Sequence, residues 1–343
     1  MRIALDAMGS DGAPYPEVEG AVVAGRSPDI EVVLVGNESQ LNSCLATYPR
    51  NGKVSVVHAS EVITMHDSPA LAVRQKKDAS LLVALRLAKE RTVDAVVSAG
   101  NTGAVMIAAR TILGSIRGVS RSAICQLFPT VRKPVLILDL GATVDCTARH
   151  LCDFAEMGTV YSQRALGVKD PRVGLLNIGE ERVKGNELSK TVHRNLTAAR
   201  HVNFIGNVEP RAMYDGVADV VVCDGFVGNV VLKTSEAAAS LLATLVRREL
   251  SSTLPSRVGA FLSMGAFKRL KRTIDPNEYT GAPLLGINGT VIILHGSATA
   301  RGVENAIQGA CLAVDAEINE HIRMGVEELR SDEARVVEGE AKL

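Results

Sequence analysis

Apolar residues occur along this chain in short unbroken runs of Val, Ile and Leu, and seven times a run stops on a cluster of Gly, Asn, Asp, Ser or His. The runs fall near 2–6, 31–36, 54–59, 94–99, 134–139, 172–178, 203–206, 219–223 and 290–295. Runs of that length and composition predict buried β-strands. Segments with helical spacing of apolar positions separate most of them, as at Ala79–Lys89, Ala104–Leu113, His150–Leu166 and Gly185–Ala198. This alternation predicts an α/β fold, a mostly parallel sheet with helices on both faces. Ligands of such sheets bind beyond the carboxyl ends of the strands. The polar clusters at 6–11, 98–103, 139–141, 177–181, 206–207, 224–229 and 295–297 are therefore expected to converge on one glycine-lined cleft.

One segment breaks the rhythm. Residues 234–275 contain no convincing strand and read as a helical hairpin standing off the sheet. Its first helix, Ser235–Leu250, carries a stripe of Leu241, Leu242, Leu245 and Val246. Its second brings Val258, Phe261, Leu262, Met264 and Phe267 close together, followed by Lys268, Arg269, Lys271 and Arg272. Apolar residues beside a basic cluster fit an interfacial helix at an anionic membrane; the same stripe fits a helical bundle in a dimer. No fixed-period repeat or low-complexity linker cuts the rest, so residues 1–326 are expected to form a single catalytic unit and 327–343 a charged, frayed tail.

Composition narrows the function. The chain has 343 residues, with 38 basic residues against 38 acidic ones, which gives no electrostatic case for nucleic acid. Aromatics are 3% and Trp is absent, so stacking platforms for bases are few. No apolar stretch is long enough to span a bilayer, and Met1-Arg-Ile-Ala-Leu-Asp6 enters a strand without the layout of a signal peptide. A cytoplasmic protein is expected. Six cysteines without a CxxC pair read as reduced structural thiols, not as a metal site.

The chain lacks G-x-S-x-G, H-E-x-x-H and G-x-G-x-x-G, and Lys184-Gly185-Asn186 does not complete a Walker A loop. What remains suits an oxyanion. Gly100-Asn101-Thr102-Gly103 follows a strand and opens a helix, where free N–H groups and the helix dipole favour an anion. Gly225-Phe-Val-Gly228-Asn229 repeats the arrangement, with Lys233 a turn further on. Plain turn chemistry is the competing account of each Gly-Asn pair. Asp6, Asp11, Asp139 and Asp224 at strand ends fit capping as well as a site. His295 fits a satisfied core histidine, or, given its Gly-Ser neighbours, a cleft residue. Arg74, Lys76 and Lys77 fit a solvated basic face or an anion anchor.

Taken in order, these clusters resemble one family, the bacterial acyl-ACP:phosphate acyltransferases of phospholipid synthesis. The matching stretches are Asp6-Ala-Met-Gly9 with Asp11, Val97–Ala104, Leu175–Glu181 with Lys184-Gly-Asn-Glu187, Val221–Val230 with Lys233, and Gly281–Gly286 leading to His295-Gly-Ser297. Ser10 and Gly12 depart from the family's Gly and His, so that loop supplies no imidazole, and Thr143 replaces an Asn. The resemblance implies transfer of a long acyl chain from acyl carrier protein to inorganic phosphate, giving an acyl phosphate used by a membrane glycerol 3-phosphate acyltransferase. It also implies a fold similar to the isocitrate/isopropylmalate dehydrogenase-like group, a homodimer and no cofactor or metal.

Phosphate is already nucleophilic near neutral pH, so the absent nucleophile elbow is consistent with this chemistry. Holding phosphate in line with a thioester, stabilising an oxyanion and excluding water are the demands on the site. The expected catalytic groups are His295, Asn229, Asp224 and Asn101. Substrate binding is expected from Asp6, Gly9, Asp11, Lys76, Gly100, Thr102 and Gly103, and from Asn177, Lys184, Gly185, Asn186, Gly228, Lys233 and Ser297. Two other classes compete: a dehydrogenase of the same fold, and a non-catalytic scaffold that binds acyl carrier protein or membrane through the basic hairpin.

Overall fold

The computed structural model describes residues 1–49, 52–274 and 278–328. All nine expected strands are present: β1 (Arg2–Asp6), β2 (Glu31–Gly36), β3 (Val54–His58), β4 (Ala95–Ser98), β6 (Val135–Leu138), β7 (Val173–Leu176), β8 (Phe204–Val208), β9 (Val220–Val222) and β11 (Thr290–Ile293). Two more, β5 (Ala123–Phe128) and β10 (Ala282–Leu285), escaped the periodicity. Gln126 interrupts the apolar run of one, and Pro283 sits in the four residues of the other, where proline reads against a strand.

Together they form one sheet in the order β3-β2-β1-β4-β11-β10-β5-β6-β9-β7-β8. β1–β4 and β11 run parallel, as do β6–β9. Between the two blocks the ladders β11·β10, β10·β5 and β5·β6 are antiparallel. The blocks therefore point in opposite directions. This corrects the expectation that every polar cluster meets in one cleft: only loops next to the central strands border a common space.

Strand alternation assigns the core. Val33, Val35, Val96, Ile124, Ile137, Val221 and Ile293 face one side, covered over the first block by α3 (Pro69–Gln75), α4 (Ser80–Lys89) and α5 (Thr102–Ile112) and over the second by Val231 and Leu232 of the helix that starts at Gly225. Val32, Leu34, Val97 and Ile292 face the other, against α1 (Tyr15–Ala24) and α12 (Ala300–Asp315). Leu136, Leu138, Leu175, Val220 and Val222 are covered on that opposite side by α6 (Ala148–Arg164) and α7 (Glu187–Ala198). Helices α1 and α12 were not legible as apolar stripes because they meet through small residues. A Cβ at Gly20 would lie 2.6 Å from Val303 Cβ.

The hairpin consists of α9 (Gly225–Ser252), α10 (Leu254–Leu262) and α11 (Met264–Ile274). Its expected last residue, Asp275, and the tail from 329 lie outside the described residues. Helix α9 begins ten residues before the hairpin's expected first helix, so the helix opened at Gly225–Asn229 and the first helix of the hairpin are one continuous element. Asp224 caps it, its Oδ1 accepting the Val227 N–H at 2.8 Å. No residue of α10 is buried, and Leu241, Leu242, Val258, Phe261 and Leu262 are all exposed. Among the described residues no helix is long and apolar enough to cross a membrane.

Candidate active site

The antiparallel seam creates a trough between α5 and α9. It holds a cavity of about 620 Å³ lined by Thr102, Gly103 and Met106 from one side, Asn229, Leu232, Lys233 and Glu236 from the other, and His295 and Ser297 at one end. Ile124, Gln126, Ala282 and Ile293 of the sheet make its floor, and Leu140 and Gly141 close the α9 side. The volume lies within the usual range for small-molecule sites.

Buried Asp6 builds the α5 end. Its carboxylate accepts the Ser80 hydroxyl at 2.6 Å and the Ser98 hydroxyl at 2.7 Å, and Ser98 Oγ in turn accepts the Gly100 N–H. Burial pushes the Asp6 carboxyl up against those hydrogen bonds. Gly9 and Gly100 touch through their backbones, since a Cβ on Gly9 would lie 2.8 Å from Gly100 Cα. Asp6, Gly9 and Gly100 thus set the turn from beneath and do not line the cavity.

Asn101 is committed to structure. Its Oδ1 accepts the Ala104 N–H, capping α5, and its Nδ2 faces the carbonyls of Thr64, Met65 and Asp67 at 3.2–3.4 Å. The strap 61–67 is held further by Lys76, whose ammonium reaches Asp67 at 2.6 Å and the Val62 carbonyl at 2.8 Å. That hydrogen bond holds the Asp67 carboxyl down at about 2. The structure therefore gives Asn101 and Lys76 to the strap, because their polar atoms are spent there. Met65 of the strap packs against Gly296, whose carbonyl accepts the Asp11 N–H at 2.9 Å.

His295 is exposed into the cavity. Its Nδ1 lies 2.8 Å from Ser297 Oγ and accepts the Ser297 backbone N–H at 3.3 Å. An acceptor Nδ1 leaves the neutral ring's proton on Nε2, a donor facing outward.

Across the trough, Asp139 does for the α9 side what Asp6 does for α5. Fully buried, it accepts N–H groups from Ile124, Gly141, Ala142 and Thr143, while burial pushes its carboxyl up to about 6. Gly141 has φ +128°, a conformation that favours glycine, and Asn229 stacks over it. Gly228 fits tightly against the Asp139 carbonyl and Cys223 Sγ. Lys233 is paired to Glu236 at 2.9 Å, which offsets its charge. Asp224 is spent as the α9 cap.

Lys184, Gly185 and Asn186 belong to a separate loop after β7 and do not line the cavity. Asn177 donates to the Lys184 carbonyl, Asn186 caps α7, and Asn207 of β8 holds the Glu181 carbonyl. They lie apart because β7 and β8 are the outer strands of the reversed block. Sequence reasoning missed Met106, Gln126 and Leu232, ordinary positions on a helix face or strand that only packing and pairing bring to the trough.

The model of the family described as fatty acid synthesis protein matches residues 1–321. A phosphate acyltransferase of Dictyoglomus turgidum is 48% identical over 96% of this chain and 98% of its own length. One from Moorella thermoacetica is 48% identical over 92% and 93%. Among solved structures, a phosphotransacetylase from Staphylococcus aureus superposes with TM-score 0.59 at 15% identity, covering 92% of this chain and 94% of its own. A 4-hydroxythreonine-4-phosphate dehydrogenase from Klebsiella pneumoniae gives 0.50 at 16% identity over 92% and 97%. At such identities the likeness is one of fold.

Proposed function

This chain belongs to the fatty acid synthesis protein family, whose relatives are phosphate acyltransferases, and we propose that its trough transfers a long acyl chain from the thioester of acyl carrier protein to inorganic phosphate. Acyl transfer to phosphate follows from the family. The carrier as donor, and use of the acyl phosphate to acylate glycerol 3-phosphate at a membrane partner, are the finer reading. The observation that carries it is the joint lining of one cavity: the N-terminus of α5, His295 and Asn229 stand around an apolar floor.

Phosphate sits at the α5 N-terminus, where Thr102 and Gly103 offer backbone N–H groups and the dipole favours an anion. One phosphate oxygen attacks the thioester carbonyl carbon. The resulting oxyanion takes donors from His295 Nε2 and the Asn229 amide. The C–S bond then breaks, the thiolate leaves and takes a proton from solvent while His295 Nε2–H remains a hydrogen-bond donor, and the acyl phosphate remains in a trough that shields it from water. Lys233 reaches the phosphate on opening its pair with Glu236; Lys184 approaches only if its loop folds over the trough.

The hairpin serves delivery. Leu241, Leu242 and Leu245 pair with a second copy of the chain, while Phe261, Leu262 and the following Lys268 and Arg269 meet the anionic bilayer. An acyl phosphate with a long chain is poorly soluble, which makes release at that surface favourable.

The test is formation of hydroxylamine-trappable acyl phosphate from acyl-loaded carrier protein and phosphate, without added metal or dinucleotide. His295→Ala and Asn229→Ala are each expected to lose ~10²–10³ in turnover while folding normally. Product absent with every thioester donor would overturn the acyl-transfer reading; product from other thioesters but not from carrier protein would overturn the donor.

A further inference from the structure

The floor of the trough contains one residue that its surroundings do not explain. On β5, alternation sends Ile124, Gln126 and Phe128 to the trough side and Cys125 and Leu127 to the other. Ile124 and Phe128 are buried among apolar neighbours, but Gln126 stands between them half-buried, lining the cavity with Met106, Leu140, Leu232 and Ile293. Its backbone pairs with Ile137 in the β5·β6 ladder. Its carboxamide reaches no hydrogen-bond partner among the described residues. The carboxamide therefore offers both a donor and an acceptor to whatever fills the cavity.

We propose that Gln126 is a specificity residue, hydrogen-bonding an amide in the thiol arm of the acyl donor. The inference rests on the acyl-transfer reading and deepens it by naming the donor class: thioesters whose thiol arm carries an amide close to the sulfur. Chemistry selects among the groups that enter the trough. Phosphate calls for cations or helix N–H groups, and Gln126 is neutral. The acyl chain has nothing to hydrogen-bond. The thioester carbonyl is served by His295 and Asn229. A carboxamide both donates and accepts, the pattern a secondary amide complements.

Register gives the spacing. Ala282 pairs with Ile293, and Leu284 with Ile124, which puts Ile293, Ala282 and Gln126 in one row across β11, β10 and β5. Two strand spacings, roughly 10 Å, separate β11 from Gln126. His295 follows two residues beyond Ile293. A thioester held at His295 can thus lay its thiol arm across the floor with its amide at Gln126.

The experiment compares the S-acyl thioester of N-acetylcysteamine, which has one amide, with the thioester of an alkanethiol of equal length that has none. At saturating phosphate the native enzyme is expected to favour the amide-bearing donor by roughly threefold to tenfold in kcat/KM, the worth of a neutral hydrogen bond. Gln126→Leu is expected to abolish that preference and leave the KM for phosphate unchanged. Gln126→Asn, with the same group on a shorter stem, is expected to retain part of it, and covers the case in which the Leu variant fails to fold. An equal preference in native and folded variant enzyme, or no preference in the native enzyme, would overturn the role of Gln126. Absence of transfer from both thioesters and from loaded carrier protein would instead overturn the acyl-transfer reading.

Discussion

Two helical glycines with opposite surroundings give the sharpest test of how α9 meets the site. At Gly228 a Cβ would overlap the Asp139 carbonyl oxygen outright and lie 2.9 Å from Cys223 Sγ and 3.0 Å from the Asp139 carbonyl carbon. At Gly259, within α10, it would meet nothing within 4 Å. Helix propensity favours Ala at both positions by ~1 kcal/mol. Gly259→Ala should realise that gain. Gly228→Ala must instead push the first turn of α9 off the Asp139 loop, which costs ~1–3 kcal/mol as overpacking. The net loss at Gly228 is therefore about 0–2 kcal/mol after the propensity gain. The larger effect is on rate: Asn229 moves with the backbone, and a shift of about 1 Å at a reacting group costs on the order of 10²-fold. Urea unfolding and acyl phosphate formation would be measured on both variants. A Gly228→Ala enzyme with full activity would refute the contact between α9 and the Asp139 loop as the element that places Asn229.

Glu17 on α1 is fully buried, and burial pushes its carboxyl up to about 7, the Ser10 hydroxyl opposing. Because the folded value is raised above the unfolded one, its stability contribution is complete below pH ~4.5 and lost as pH rises through ~7, a fall of roughly 3 kcal/mol. Glu17→Gln should remove that part of the pH slope in denaturant melts; an unchanged slope would refute it. Asn101→Asp keeps the α5 cap but sets a carboxylate against the strap carbonyls, whereas Asn101→Ala loses both. Both variants should show a raised KM for phosphate, and only the Ala variant the further ~1 kcal/mol of a lost cap. If the Asp variant has native phosphate kinetics, the strap does not position the His295 turn. Replacing Phe261 and Leu262 by Asp should abolish flotation with anionic vesicles and spare the proposed dimer on size-exclusion chromatography. A dissociated dimer would reassign the tip to the subunit interface.

The sequence by itself determined a good deal. The seven inner strands of the nine expected were legible because burial on both faces writes a run rich in Val, Ile and Leu, a property of neighbouring residues alone, and the half-buried edge strands β3 and β8 kept enough of that pattern to be read. Gly9, Gly100 and Gly228 stood out in the sequence but were expected to meet substrate, whereas the structure uses them where protein meets protein, as where the Gly9 and Gly100 backbones touch. The order of the polar clusters was enough to mark the family. Only the tertiary structure decided which clusters meet. The antiparallel strands β10 and β5 reverse the sheet, so the loop at 177–186 falls outside the cavity while Thr102, Gly103, Leu140, Gly141, Asn229, His295 and Ser297 border it. Nor could spacing tell a catalytic amide from a cap: Asn101, Asn186 and Asp224 look like site residues along the chain but complete the first turns of α5, α7 and α9. Gln126 is the converse case, an unremarkable break in an apolar run until pairing sets it on the floor of the trough. Local pattern records what each residue's neighbours require of it; strand direction and register depend on partners far along the chain, and those alone decide which side chains share a cavity.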